Sequence, residues 1–403
     1  MMTIAGVVGL LLLMQGGPQA GPAGAALRAY CAADAPVVVQ LAPGAAVVVH
    51  SSIQGEGGAC FRVSADGRTG SVFGRELTGL EDYEAARRGA GDSGLPAEIR
   101  SMVARQEEGS SLRRAVALLE ARQPRQALQM VEYALAREGA DRDAGVLALA
   151  GVAALQSDQP EKARGYFRRS LALKANPQVA ALAARAEREA ANDTSNHVVR
   201  GSRFVLRYDE ASVPGAAARL LTGVLDEEYA RLDGVLGCHL GEQVTVVVHT
   251  PERYRAATGA AEWSGGQYDG RIRVPMPEGG TLTPRLRQTF AHEIVHACLA
   301  RRGAFPAWFH EGMAQRWSGE RLSAGQRRAL RERLAAGALP GLANLGAGWS
   351  GFTPEQAGLA YAYALAAVET LYETRGEGHV RDLLRTPSLL SQTAVELTRA
   401  LAQ

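Results

Sequence analysis

The residues best suited to chemistry stand in one stretch, TFAHEIVH, running from Thr289 to His296. On an α-helix, positions i and i+4 lie about 40° apart around the axis, so His292 and His296 point the same way one turn apart. Two imidazoles so placed can share one metal ion. Glu293, about 100° round from His292, can reach a water in an open coordination position. A third ligand must come from elsewhere in the chain. Downstream, PAWFHEGMA (306–314) opens a second helix at Pro306 after the Arg301-Arg302-Gly303 stop, and Glu311 follows His296 with fourteen residues between. A returning antiparallel helix can present Glu311 to both histidines, and two imidazoles with one carboxylate form a catalytic zinc set that leaves a fourth position for water. His310 is the rival ligand. It points about 100° from Glu311, so only one of the two can face the metal.

These helices need a frame, and the sequence before them supplies one. SRFVLRYD reads as a strand, AAARLLTGVLDEEYARLDGVLG as a long amphipathic helix, EQVTVVVHT as a strand and GGQYDGRIRVPMP as a strand or hairpin. Thr283 is the expected N-cap of the histidine helix, with Pro284 at its first position. A sheet with helices behind it therefore precedes the motif, an α+β arrangement over residues 197–403.

HEIVHACL followed by PAWFHEGMA resembles the gluzincin metallopeptidases, in particular the bacterial peptidase MA-like domains, where W-x-x-E-G-x-A carries the third ligand. The likeness covers residues 198–386, about half of the chain. It implies a zincin-like fold with Zn2+ held by His292, His296 and Glu311, and it makes His310 a residue on the side of the helix. Glu293 is then the general base of peptide-bond hydrolysis, acting on a water whose pKa zinc lowers to about 7. The later A-Y-A element implies a donor to the oxyanion at Tyr361, with Tyr363 second. Gln315, one turn after Glu311, stands where many gluzincins carry an acid that orients a ligand. The resemblance also implies that peptide adds to the sheet edge, for which Gly265–Val274 is the candidate segment.

Three further regions precede this domain. Thr3–Met14 is an apolar run too short to span a bilayer, followed by Ala23-Gly24-Ala25, so residues 1–25 read as a signal peptide whose n-region lacks Lys and Arg, the alternative being a buried N-terminal segment or an uncleaved anchor. Residues 27–80 are short strands with turns at Pro43-Gly44 and Asp66-Gly67, a small all-β unit. PVVVQLAPGAAVVV with CFRVSADGRTGSVF resembles a bacterial SH3-type barrel, although Cys60 and Ser71 stand where that family usually has aromatics. That likeness implies a cell-wall ligand or a purely structural role. Residues 81–108 read as a linker, and 109–192 as helical repeats. Within them QPRQA at 123–127 recurs as QPEKA at 159–163, and Leu135 recurs as Leu171, an offset of 36. Gly151, Ala163, Phe167 and Ser170 resemble the packing positions of tetratricopeptide repeats, which implies a protein partner; a plain helical bundle is the alternative. Two repeats with a capping helix near 178–191 are few for an independent array, which is expected to lean on a neighbour.

At 403 residues, 46% hydrophobic and 21% charged, the chain is a multidomain globular protein. A net charge of +2, with scattered arginines and only Lys162 and Lys174, gives no basic stripe for nucleic acid. The four cysteines fit export to the periplasm or beyond the cell. Cys31 and Cys60 are candidates for one bridge, worth roughly 3 kcal/mol. Cys238 and Cys298 are candidates for a second, unless Cys298 is simply packed on its helix. The expected protein is an exported zinc peptidase acting on peptides or proteins, without a membrane span once the signal is removed. The competing expectation is a non-catalytic envelope scaffold.

Overall fold

The computed structural model describes the chain outside residues 1–17, 31–32, 56–57, 66, 81–94, 108, 138–141, 194–196, 211–212, 260–264, 277–279, 346–348 and 350–353. It divides into two compact units, residues 1–89 and 90–403, described separately below.

The first unit is built from β1 (Gln19–Ala20), β2 (Ala25–Arg28), β3 (Val37–Leu41), β4 (Val48–Gly55), β5 (Gly58–Ala65), β6 (Arg68–Phe73) and β7 (Leu77–Thr78). β3-β2-β6-β5-β4 form a five-stranded antiparallel sheet, and β1 pairs with β7. Its small core joins Ala20, Leu27, Leu41, Phe61, Val63, Val72 and Leu77. The signal-peptide boundary expected after Ala25 falls inside this core. A cut there would remove β1, which pairs Gln19 with Thr78, together with the buried Ala20 and Ala25. The folded unit thus begins upstream of that position. The apolar run and Cys31 lie outside the described residues.

The second unit opens with helices. α1 (Ala97–Ala104) lies within the stretch read as linker, and Ile99 and Met102, with Leu95 just before it, join the helical core. Then come α2 (Ser111–Glu120), α3 (Pro124–Arg137), α4 (Ala144–Gln156), α5 (Pro160–Leu173) and α6 (Pro177–Asn192). The repeat in sequence is also a repeat of backbone: Arg122 (φ 55) and Asp158 (φ 65) take the same left-handed conformation before each Gln-Pro. Gly151 lets Phe167 approach so closely that a Cβ there would lie 2.4 Å from the ring, and the Ser170 hydroxyl donates to the Ala144 carbonyl at 2.7 Å.

The rest of the unit carries β8 (His197–Arg200), β9 (Phe204–Tyr208), α7 (Gly215–Leu236), β10 (Val244–His249), α8 (Pro251–Thr258), β11 (Gln267–Tyr268), β12 (Ile272–Pro275), α9 (Pro284–Arg302), α10 (Ala307–Ser318), α11 (Ala324–Ala335), α12 (Pro354–Arg385, broken at Gly376, φ +73) and α13 (Leu390–Leu401). The sheet runs β11-β12-β10-β9-β8, with β12, β10 and β9 parallel and both outer pairings antiparallel. Period-2 alternation gives its central strands two faces. Phe204, Leu206, Val246, Val248, Ile272 and Val274 join the main core with residues of α7 and α9. Each such side chain contributes about 1.5–3 kcal/mol by burial. The intervening Arg207, Thr245, His249, Arg271 and Arg273 turn to the helical array, where Arg125 of α3 bonds Thr245 and Asp158 bonds Arg207 and Arg271. The array therefore does lean on a neighbour, the second face of this sheet.

Cys238 and Cys298 are joined in a disulfide that ties the end of α7 to α9. Closing a loop with a sequence separation of 60 is worth about 4 kcal/mol by chain entropy. Arg302 reinforces the tie by donating to the Leu236 and Gly237 carbonyls. Among the described residues no helix is long and apolar enough to cross a membrane.

Candidate metal centre

Helix α9 begins as expected: the Thr283 hydroxyl accepts from the Leu286 N–H and Pro284 stands in the first turn. Its apolar stripe, Leu286, Phe290, Ile294, Val295 and Leu299, is buried in the core. His292 and His296 are left on the flank that meets α10. That second helix is anchored by buried Trp308, Phe309 and Met313. It comes close to α12 because residue 312 is glycine; a Cβ there would lie 2.3 Å from the Ala364 carbonyl oxygen. The close approach fixes Glu311 above the histidines.

Glu311 Oε2 stands 3.3 Å from His292 Nε2 and 3.5 Å from His296 Nε2. One donor atom from each of the three residues falls within 4.8 Å of the others. Ligands about 2.0–2.1 Å from a tetrahedral ion would be separated by about 3.3 Å, close to both separations from Glu311, so the three residues could hold a metal ion. Burial disfavours the Glu311 carboxylate, but His296 and His292 outweigh it and hold its pKa well below the ordinary range. Burial likewise opposes charge on His296, and Glu311 overcomes it and raises the pKa.

Both rings are backed from behind. His296 Nδ1 faces His310 Nδ1 at 3.4 Å, and His292 Nδ1 faces Glu320 Oε1 at 3.9 Å. Burial, then the neighbouring His296, pushes His310 down to about 3, so it is neutral and can accept from a His296 Nδ1–H. His310, the rival ligand, thus lies behind His296 and outside the set of three converging donors. Glu320 was not visible as a site residue in the sequence. Its one signal is an acid just beyond the α10 C-cap Gly319, where the helix dipole disfavours negative charge.

Glu293 is buried beside the two histidines, and its Oε2 has no hydrogen-bond partner. Burial raises its pKa even against both imidazoles. The chain passes close over this carboxylate at Gly266, where a Cβ would lie 2.5 Å from Oε1. Gly266 precedes β11. Of the segment expected at the sheet edge, Gln267–Tyr268 occupies it, whereas Ile272–Pro275 is interior.

The two tyrosines separate clearly. Tyr363 is buried with its hydroxyl bonded to Thr398 at 3.1 Å, a packing role away from the cluster. Tyr361 packs edge-on against Trp349, and its pKa is raised by burial and then by the charges of Glu311, Glu293 and Glu320. Gln315 does not reach a ligand side chain. Its amide donates to the carbonyls of Glu311 and Tyr361, joining α10 to α12 where Tyr361 departs. No protein-family model matches this chain, and a search of curated proteins finds no match.

Proposed function

We propose that the C-terminal part of this protein is a zinc-dependent peptidase of the gluzincin kind, similar to the bacterial peptidase MA-like domains. It is exported to the periplasm or cell exterior, and it carries an SH3-like barrel with a cell-wall ligand and a tetratricopeptide-like array. The observation that carries the reading is the meeting of His292, His296 and Glu311 donors beside a buried Glu293 whose Oε2 lacks a hydrogen bond. The Cys238–Cys298 bridge supports an oxidising compartment.

His292, His296 and Glu311 would hold the zinc, which when bound would supply Lewis acidity that polarises a peptide carbonyl and lowers the pKa of water to about 7. Glu293 takes the proton of the attacking water and delivers it to the leaving amine as the C–N bond breaks. The Tyr361 hydroxyl donates to the oxygen that gains negative charge. His310 and Glu320 keep both imidazoles turned to the ion. Substrate backbone pairs along β11.

The test is elemental analysis of the parent, Glu311→Ala and Glu293→Gln, with hydrolysis of labelled casein. The expected result is one zinc per chain in the parent and in Glu293→Gln, with loss in Glu311→Ala. Hydrolysis falls by at least about a thousandfold in Glu293→Gln. A parent without zinc after reconstitution, or Glu293→Gln as active as the parent, would overturn the reading in favour of a scaffold.

A further inference from the structure

The hairpin that carries the edge strand is gripped at its turn by the helical array. Asp269, between β11 and β12, forms an ion pair with Arg185 of α6 and another with Arg273 at 2.9 Å. Glu189, one turn after Arg185, reaches Arg271 at 2.8 Å and Arg273 at 2.6 Å, and Asp158 at the α4–α5 turn reaches Arg271 at 3.1 Å. Gly270 (φ +101) lies against Gln156 at the end of α4. Three points of the array thus fix the hairpin turn, three residues beyond the Gly266 backbone that passes over Glu293. Ladder bonds alone hold this arm weakly, because β11 pairs with β12 at only Gln267–Arg273 and Tyr268–Ile272.

We infer that Arg185 and Asp269 are positioning residues of the peptidase site, through which the helical array holds the β11 arm over Glu293 and in register for substrate. The inference rests on the peptidase reading and makes the array a working part of the site. A two-residue strand released at its turn drifts from the carboxylate, and substrate that pairs with it loses its template.

Arg185→Met is the variant of choice: 32% of the Arg185 side chain is exposed, and Asp269 keeps Arg273 and the Arg271 N–H when it is lost. Zinc content, melting temperature, casein hydrolysis and amide exchange over 265–269 are compared in the parent, R185M and R185K. The expected result is unchanged zinc, exchange in the arm at least about tenfold faster, and a KM for casein raised about fivefold, with partial recovery in R185K. Unchanged arm exchange, or an unchanged KM in folded R185M, overturns the inference. Should R185M not fold, D269N, which keeps an acceptor for the Arg271 N–H, is read in the same way. A parent that cleaves nothing overturns the peptidase reading, and arm exchange then judges the grip of the array independently.

Discussion

Glu293 keeps a buried carboxylate oxygen without a hydrogen bond and Glu311 faces only two imidazoles, whereas on the other face of the same sheet Glu189 and Asp269 each engage three arginines. Both clusters are buried charge in one unit, and both stand on the same alternating strands or the helices against them. The second sets Arg185, Arg207, Arg271 and Arg273 against Asp158, Glu189, Asp193 and Asp269, so four positive groups meet four negative ones. Such a set is balanced in charge without any ligand, although the Arg271 Nε within it makes no hydrogen bond. In the first, two imidazoles converge on one carboxylate while the carboxylate beside them keeps an orphan oxygen. A buried carboxylate oxygen without a partner is costly, and it is a candidate for completion by something outside the chain. Charge balance therefore distinguishes the two clusters where burial alone does not.

The largest expected effect comes from breaking the balanced cluster. Glu189→Gln leaves Arg271 and Arg273 facing only the remaining acids, and removing one partner from a buried ionic network destabilises by about 3–5 kcal/mol. Urea unfolding of the metal-free protein measures it. A loss below about 1 kcal/mol would mean that water already relieves the network, and the contrast between the clusters would fail.

The same substitution in the other cluster has the opposite sign. Glu293→Gln removes an ion that burial disfavours and that lacks a partner for Oε2, so the metal-free variant gains about 1 kcal/mol. Equal destabilisation by the two variants would show that Glu293 is held as part of the fold rather than kept for chemistry.

How much of this could be read from sequence follows from the range of each signal. The helix with His292 and His296, the stop at Gly303, the restart at Pro306 and the return of Glu311 are local patterns, and the structure brings those residues together. The strands around Leu206 and Val246 were legible from their short apolar, β-branched runs, and that around Ile272 from its alternation. The balanced network was not legible. Arg271 meets Asp158 across 113 residues and Glu189 across 82, and an arginine alternating with Ile272 and Val274 reads as a solvated face until a helical array is known to cover it. β8 and α8 were also missed, being short and weakly apolar. Glu320 and the passage of Gly266 over Glu293 depend on how loops close, which no spacing in the chain encodes.

Acidity gives the smallest and sharpest comparison. Burial opposes charge on Glu189 and Asp269, but the surrounding arginines outweigh it and hold both pKa values below the ordinary carboxylate range. Their stabilisation is thus present above the unfolded value, about pH 4, and is lost as the pH falls through the folded values. Glu293 is shifted the other way. Its raised folded pKa contributes stability below about pH 4 that is lost as the pH rises through the folded value. Urea midpoints of metal-free parent, Glu293→Gln and Glu189→Gln between about pH 3 and pH 7 resolve the two. The difference between the parent and Glu293→Gln should shrink on acidification from neutral pH, as the parent carboxyl takes up its proton. The difference between the parent and Glu189→Gln should shrink only below about pH 4, where the network loses its own charge. Two differences closing over the same pH range would mean that both carboxylates sit in equivalent fields, and charge balance would no longer distinguish the two clusters.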